Sequence, residues 1–262
     1  MSDTTPGGYD ALARYYELEY ADYTADLEFY LNLLRRTGGP FLDLACGTGR
    51  VALAMAEEGY EAVGVDTSEP MLALGREKAG KRIELIQGDL RNFDLGRVFP
   101  LVAITLNSFM HLLEVKDQVA ALERMRKHLA PGGRALVSTI NPYSVSLHDV
   151  EAKLIHEFTK WDAEHESWVT KLSARDVDTV EQVEHVTYFY DEVKGGSVER
   201  LVANLDFRYT YRYELELLMR QAGLDPVAVY GSYDLESYEI TSPALIIVAT
   251  SSSSPTAVGE AR

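Results

Sequence analysis

The pattern of apolar and polar positions changes period twice along the chain. Between Tyr9 and Arg36 the spacing is helical, with Leu27, Tyr30, Leu31 and Leu34 at the i, i+3, i+4, i+7 positions of one face, which predicts one or two helices ended by Gly38, Gly39 and Pro40. From Phe41 onward short apolar runs alternate with helical stretches, the signature of a parallel sheet covered by helices. Strands are expected at 41–45, 62–66, 83–87, 101–106 and 135–140. The helix before the fifth strand carries Val119, Leu122, Met125 and Leu129 on one face, and Pro131, Gly132 and Gly133 punctuate the return.

After Asn141 and Pro142 the period becomes two. Leu201, Ala203, Leu205, Phe207, Tyr209 and Tyr211 alternate strictly, as in a half-buried antiparallel strand, and Gly195-Gly196 supplies a hairpin turn back to the run 186–193. An antiparallel β lid, at about 145–209, is therefore expected after the fifth strand. Helical spacing returns at Leu215, Leu218, Met219 and Ala222, with Gly223 at the C-cap position, and two apolar runs, 227–230 and 244–249, finish the sheet. No internal repeat is visible. Residues 1–8 and the serine-rich 251–262 read as tails, leaving one domain at 9–250 that includes helices at 9–36.

Composition narrows the chemistry. The 262 residues carry 25 Lys and Arg against 41 Asp and Glu, a formal charge of −16 that repels phosphate backbones and anionic lipid. No nucleic-acid or membrane partner is expected; a small-molecule partner is favoured. A single cysteine, Cys46, rules out an intramolecular disulfide and argues against a cysteine-based metal site. No apolar run approaches the roughly 18 residues needed to cross a bilayer, and a cytoplasmic location and no metal are expected. The pattern leaves monomer and homodimer open.

The densest chemistry lies in Phe41-Leu42-Asp43-Leu44-Ala45-Cys46-Gly47-Thr48-Gly49-Arg50, a strand running into a glycine turn that opens a helix. Gly47-x-Gly49-x-x-Ala52 alone satisfies a dinucleotide fingerprint. Asp43 separates the alternatives, because a carboxylate beside the turn opposes a pyrophosphate and attracts a cation. S-adenosylmethionine is a ligand of that kind: it has no phosphate, and its methionine half carries an ammonium and a sulfonium. Asp66 ends the second strand, where a carboxylate can accept both ribose hydroxyls, and Asp89 ends the third, where it can accept from an adenine amine beside Leu90. Three acids at three successive strand ends are a stronger signal than one glycine motif.

Asp43 to Gly49, Gly64-Val65-Asp66 and Gly88-Asp89-Leu90 together resemble the three cofactor motifs of class I S-adenosylmethionine-dependent methyltransferases. The resemblance covers about 9–250. It implies an α/β, Rossmann-like, seven-stranded mixed sheet whose last strand is antiparallel, with helices on both faces and the cofactor across the carboxyl ends of the strands. The opening Tyr9-Asp10-Ala11-Leu12-Ala13-x-Tyr15-Tyr16 and the inserted lid are similar to small-molecule enzymes of that class, glycine-type and amino-sugar N-methyltransferases. Carried over, Asp43, Ala45, Gly47 and Gly49 would hold the methionine portion with Arg50 alongside, Asp66 and Thr67 the ribose, and Met71, Asp89 and Leu90 the adenine. The segment from Leu106 to Leu112 would face the transferable methyl, with Leu106 against the cofactor.

His111 is the candidate acid–base group, and Tyr9, Tyr15 and Tyr16 could present hydroxyls or ring faces to the sulfonium and the acceptor. Cys46 reads as a small filler, Phe109 as core or a cofactor contact, and Trp161, His165 and Trp168 as helix or lid packing. The expected reaction is methyl transfer to a small-molecule amine. An O-methyltransferase, a non-catalytic module binding the same cofactor, and a nicotinamide oxidoreductase are the alternatives.

Overall fold

A computed structural model describes residues 8–20, 22–143 and 153–252. The chain opens with helices α1 (Tyr9–Tyr20) and α2 (Leu27–Thr37), then runs β1 (Phe41–Leu44), α3 (Arg50–Glu57), β2 (Ala62–Asp66), α4 (Glu69–Ala79), β3 (Glu84–Gln87), β4 (Phe99–Ile104), α5 (Val115–Lys127) and β5 (Leu129–Ile140). Strands β6 (Leu154–Asp162), β7 (Ser167–Asp178), β8 (Val183–Lys194) and β9 (Ser197–Arg208) follow, then α6 (Arg212–Gln221), β10 (Leu224–Tyr230) and β11 (Ala244–Ser251).

Seven strands form one sheet in the order β10-β11-β5-β4-β1-β2-β3, with β11 antiparallel to both of its neighbours. The expected seven-stranded mixed sheet is present, and its antiparallel last strand lies inside the sheet, between β10 and β5. Strand β1 pairs in parallel with β2 on one side and β4 on the other, Leu44 lying opposite Val65 and Ile104. The connections leave β1 in one direction and return to β4 in the other, so a crevice opens at their carboxyl ends, where open α/β sheets place ligands.

Alternation within the strands divides the core into two layers. Leu42, Leu44, Val102 and Ile104 pack on α5 and α6 through Leu122, Met125, Leu215 and Met219. Phe41, Leu101, Ala103 and Ile246 face α2 and α3 through Phe29, Leu34, Val51 and Met55. Helices therefore cover both faces, and the strands, apolar on both sides, read as continuous hydrophobic runs.

The lid is a separate four-stranded antiparallel sheet, β6-β7-β8-β9, with Lys194 opposite Ser197 across the Gly195-Gly196 turn. Its inner face packs Val169, Tyr190, Ala203 and Leu205 on Leu12 of α1. Arg14 clamps the two together, 2.7 Å from Asp162 and 3.0 Å from Glu192, and Lys171 lies 2.7 Å from Glu19.

Several expectations need correction. Trp161 and Trp168 pack in the lid and not on a helix, against each other: they face across β6 and β7 with ring centres 5.5 Å apart, each about half exposed. Pro131, Gly132 and Gly133 lie inside an irregular start of β5, because Leu129 already pairs with Phe99 before the register shifts. The C-terminal tail begins later than Ser251, which is still strand, while the Ser252 N–H and hydroxyl both donate to the Gly223 carbonyl. The remaining expected tail residues, 1–7 and 253–262, and the first part of the expected lid, 145–152, lie outside the described residues.

Candidate active site

A cavity of about 420 Å³ opens at the carboxyl edge of the central strands. The turn after β1 contributes Ala45 and Gly47, the end of β2 contributes Asp66, Thr67 and Ser68, and the end of β3 contributes Gly88, Asp89, Leu90 and Arg91. Met71 enters from the start of α4, and Leu106, Ser108, His111 and Leu112 from the segment after β4. Helix α1 closes one side with Tyr9, Tyr16 and Tyr20, and Leu205 of the lid another.

The wall is built from backbone that few residues tolerate. Ala45, Gly47 and Gly49 have φ of 54°, 56° and 76°, which turns the chain sharply out of β1 into α3. Leu106 and Asn107, at 46° and 69°, do the same after β4 and lead into a single 3₁₀ turn at Ser108–His111 that lifts the imidazole to the cavity. Left-handed conformations at non-glycine residues cost roughly 1–3 kcal/mol each and gather at functional sites. The Asp66 carboxylate pins the first turn: one oxygen accepts from the Gly47 N–H at 2.7 Å, the other from the Ser68 N–H at 2.9 Å. Burial raises the pKa of Asp66, and these backbone bonds oppose the rise. Cys46 fills the space under Gly64, where an added Cβ would meet its sulfur at 2.6 Å, and burial holds its thiol protonated.

His111 and Tyr9 meet on the wall. The Tyr9 hydroxyl lies 3.2 Å from His111 Nε2, and the two rings are perpendicular with centres 5.0 Å apart. Burial pushes the imidazole down to about 4 and the Tyr9 phenol well above its ordinary range, so both are uncharged at neutral pH. In a neutral pair of this kind the imidazole tautomer sets the direction: the phenol donates where Nε2 is unprotonated and accepts where Nε2 carries the proton.

Four residues expected in the site lie elsewhere. Asp43 shares its strand face with Phe41 and is buried behind the turn; Thr105 donates to one carboxylate oxygen at 3.5 Å and the other has no partner. Burial raises its pKa to about 7 even though the nearby Arg50 opposes the rise. Arg50 turns away from the cavity into a fork on Asp26, at 2.7 and 2.6 Å, and also donates to the Tyr23 carbonyl at 2.7 Å. Gly49 serves packing, since a Cβ there would meet Ile83 at 2.9 Å. Tyr15 points to the lid, stacked on Tyr190 at 4.6 Å with its hydroxyl donating to Glu192. Phe109 is core.

Asp89 is on the wall but not alone. Arg91 grips both of its oxygens and reaches Asp117 at 3.1 Å, which holds the Asp89 carboxyl below its usual range. Arg91, Asp117, Ser68, Tyr20 and Leu205 line the cavity without having been among the expected site residues. Tyr20 had a detectable signal, lying four residues beyond Tyr16 on the same helical face. The others depend on which elements meet.

The cavity fits a ligand with a cationic end: the acids Asp66, Asp89 and Asp117 line it beside Arg91, and each Asp66 oxygen keeps an acceptor position beyond the backbone bond it already makes.

Comparison with known proteins agrees with this geometry. Residues 41–133 match the family described as "Methyltransferase domain". The chain is 26% identical over 220 residues to the cypemycin N-terminal methyltransferase of a Streptomyces species, covering 80% of this chain and 82% of that one. It is 34% identical over 119 residues to the dTDP-3-amino-3,6-dideoxy-alpha-D-glucopyranose N,N-dimethyltransferase of Streptomyces fradiae, a match that covers 45% of this chain and 46% of that protein. Among solved structures, the CcbJ methyltransferase of Streptomyces caelestis superposes with a TM-score of 0.72 at 26% identity, covering 96% of this chain and 94% of that one. The protein is an S-adenosylmethionine-dependent methyltransferase with a Rossmann-like fold. Its helices, among the described residues, include none long and apolar enough to cross a membrane.

Proposed function

We propose that the protein transfers the methyl group of S-adenosylmethionine to the nitrogen of a small-molecule amine, with His111 and Tyr9 at the acceptor. The observation that carries this reading is the uncharged His111–Tyr9 pair on the cavity wall, at the edge of the sheet where the three cofactor motifs converge. Two relatives, an N-terminal methyltransferase and an amino-sugar N,N-dimethyltransferase, support nitrogen as the acceptor atom.

Ala45, Gly47, Asp66, Thr67, Met71, Asp89, Leu90 and Leu106 would hold the cofactor, Asp66 receiving ribose hydroxyls at its spare acceptor positions. When bound, S-adenosylmethionine supplies a methyl group already activated by its sulfonium. The protein's task is then alignment, exclusion of water and an acceptor with a free lone pair. A protonated amine has no lone pair, and the neutral, buried His111–Tyr9 pair offers a charged amine no counter-ion at its end of the cavity. In the tautomer with Nε2 unprotonated the Tyr9 hydroxyl donates to it, which leaves the phenol oxygen free to accept an N–H from the amine and orient its lone pair. With an imidazole pushed down to about 4, His111 works as a hydrogen-bond acceptor and not as a store for a proton at neutral pH.

The test is methylation of paired acceptors, amines and their hydroxyl counterparts, with methyl-labelled cofactor and identification of the labelled atom. Label on nitrogen is expected; label confined to oxygen would overturn the reading.

A further inference from the structure

His111 is gripped by three parts of the chain that are remote in sequence. Its own 3₁₀ turn follows β4, Tyr9 reaches it from α1, and Phe207 reaches it from the lid strand β9, with ring centres 4.8 Å apart at an angle of 48°. Phe207 is itself wedged between two apolar clusters. One lies under the lid around Leu12, Val169 and Tyr190, the other around Met110 and Tyr209. It is thus fixed both to the lid and to the residue preceding His111.

The charged neighbours of Phe207 turn elsewhere. Asp206 accepts from His185 at 2.7 Å, and Arg208 is held by Glu214 and the Leu113 carbonyl. Leu205, the other β9 residue on the cavity wall, is apolar, and Tyr9 is the titratable side chain that bonds His111. Burial alone accounts for the low imidazole pKa. An apolar ring laid against an imidazole removes water from it and limits its rotation, and both effects reach the chemistry through geometry.

We propose that Phe207 is a positioning residue for methyl transfer, holding the His111 ring against the Tyr9 hydroxyl and closing it from water. This rests on the proposed role of His111 at the acceptor. It makes the docked lid a part of the active site: strand β9 completes the pair that Tyr9 and His111 begin.

The experiment uses full-length protein labelled with ring-¹³C histidine, in which the His111 signal is identified by its loss in His111→Gln. In Phe207→Ala the His111 titration midpoint is expected to rise by at least one pH unit toward the ordinary value of about 6.5. The kcat for an amine acceptor is expected to fall about tenfold or more, with the KM for cofactor within about twofold. Phe207→Leu, which keeps a bulky apolar cap, should stay near the parent in both measurements. An unmoved His111 midpoint in Phe207→Ala overturns the proposal, whatever happens to turnover. If the alanine variant does not fold, Phe207→Val, whose β-branched side chain suits the strand, is judged by the same criterion. The titration needs no acceptor, so it decides the role of Phe207 even if methylation is found on oxygen and the amine reading falls.

Discussion

The Nε2 atom of His111 lies 3.2 Å from the Tyr9 hydroxyl although 102 positions separate them in the chain. The contact joins the first helix to the segment after β4, and burial keeps both partners uncharged near neutral pH. It is therefore a directional hydrogen bond that sets where lone pairs point, and not an ion pair whose strength would vary with salt.

His111→Ala is expected to lower kcat about 10²-fold, with cofactor affinity within about twofold. Tyr9→Phe, which keeps the ring and removes the hydroxyl, should cause a loss of similar size. Because the two act as one unit, the double variant should be little worse than either single one. Steady-state kinetics on all three checks this; fully additive losses would mean that the residues work separately.

The buried imidazole also makes stability depend on pH. In the unfolded chain His111 takes up a proton near 6.5, whereas in the fold it resists until about 4. The unfolded state therefore binds more protons between these values. The contribution of neutral His111 is fully present above about 6.5 and erodes as pH falls toward 4, by up to about 1.4 kcal/mol per pH unit. Melting curves of the cofactor-free protein from pH 7 to 4 should show a shallower decline for His111→Gln than for the parent.

Asp43 has the opposite sign. Its folded pKa of about 7 stands above the ordinary 3.8, so the folded state holds a proton that the unfolded chain releases. Its contribution is present at low pH and lost as pH rises through 7. Asp43→Asn should gain stability relative to the parent between pH 5 and 8, as read by denaturant midpoints without cofactor.

Arg50→Ala leaves the fully buried Asp26 carboxylate without its partner, which costs about 3–5 kcal/mol. Because Arg50 does not reach the cavity wall, cofactor affinity per folded molecule should stay within about twofold. Calorimetric titration below the melting temperature checks the second half. A loss of affinity with an intact fold would return Arg50 to the binding site.

Asp66→Ala should lose about 1.5–3 kcal/mol of cofactor affinity, the scale of hydrogen bonds to a charged group. The structure adds a second effect, since the Gly47 and Ser68 N–H groups lose their acceptor. A drop in stability of about 1–3 kcal/mol is expected alongside, from groups left unsatisfied. Titration and thermal melts on the same variant separate the two.

Much of the sheet was legible from the chain because its signals are local. Apolar runs between helical stretches predicted all seven strands of the main sheet, with ends misplaced by at most a few residues except at β5, where Pro131, Gly132 and Gly133 concealed six further strand residues. The strict alternation before Tyr211 and the Gly195-Gly196 turn likewise exposed the lid. Strands β6 and β7 were not predicted individually; in β6 a bulge between His156 and Phe158 breaks the period on which such a reading depends.

The site divides along the same line. Strand spacing brought Gly47, Asp66 and Asp89 to one sheet edge, because residues that follow successive parallel strands must emerge together, and the family resemblance added Ala45, Met71 and Leu106. Spacing could not tell Tyr9 from Tyr15: both lie on α1, and only the docking of that helix between lid and sheet turns the first toward His111 and the second toward Tyr190. Nor could it tell Arg50 from its neighbours in the motif, since the Asp26 that captures it lies in the preceding helical region. The sequence by itself determined which side chains share a face, through the fixed periods of helix and strand. Only the tertiary structure decided which faces meet, because burial and long-range pairing, with their cost of leaving a charge unpartnered, act between segments whose separation along the chain carries no record of their distance in space.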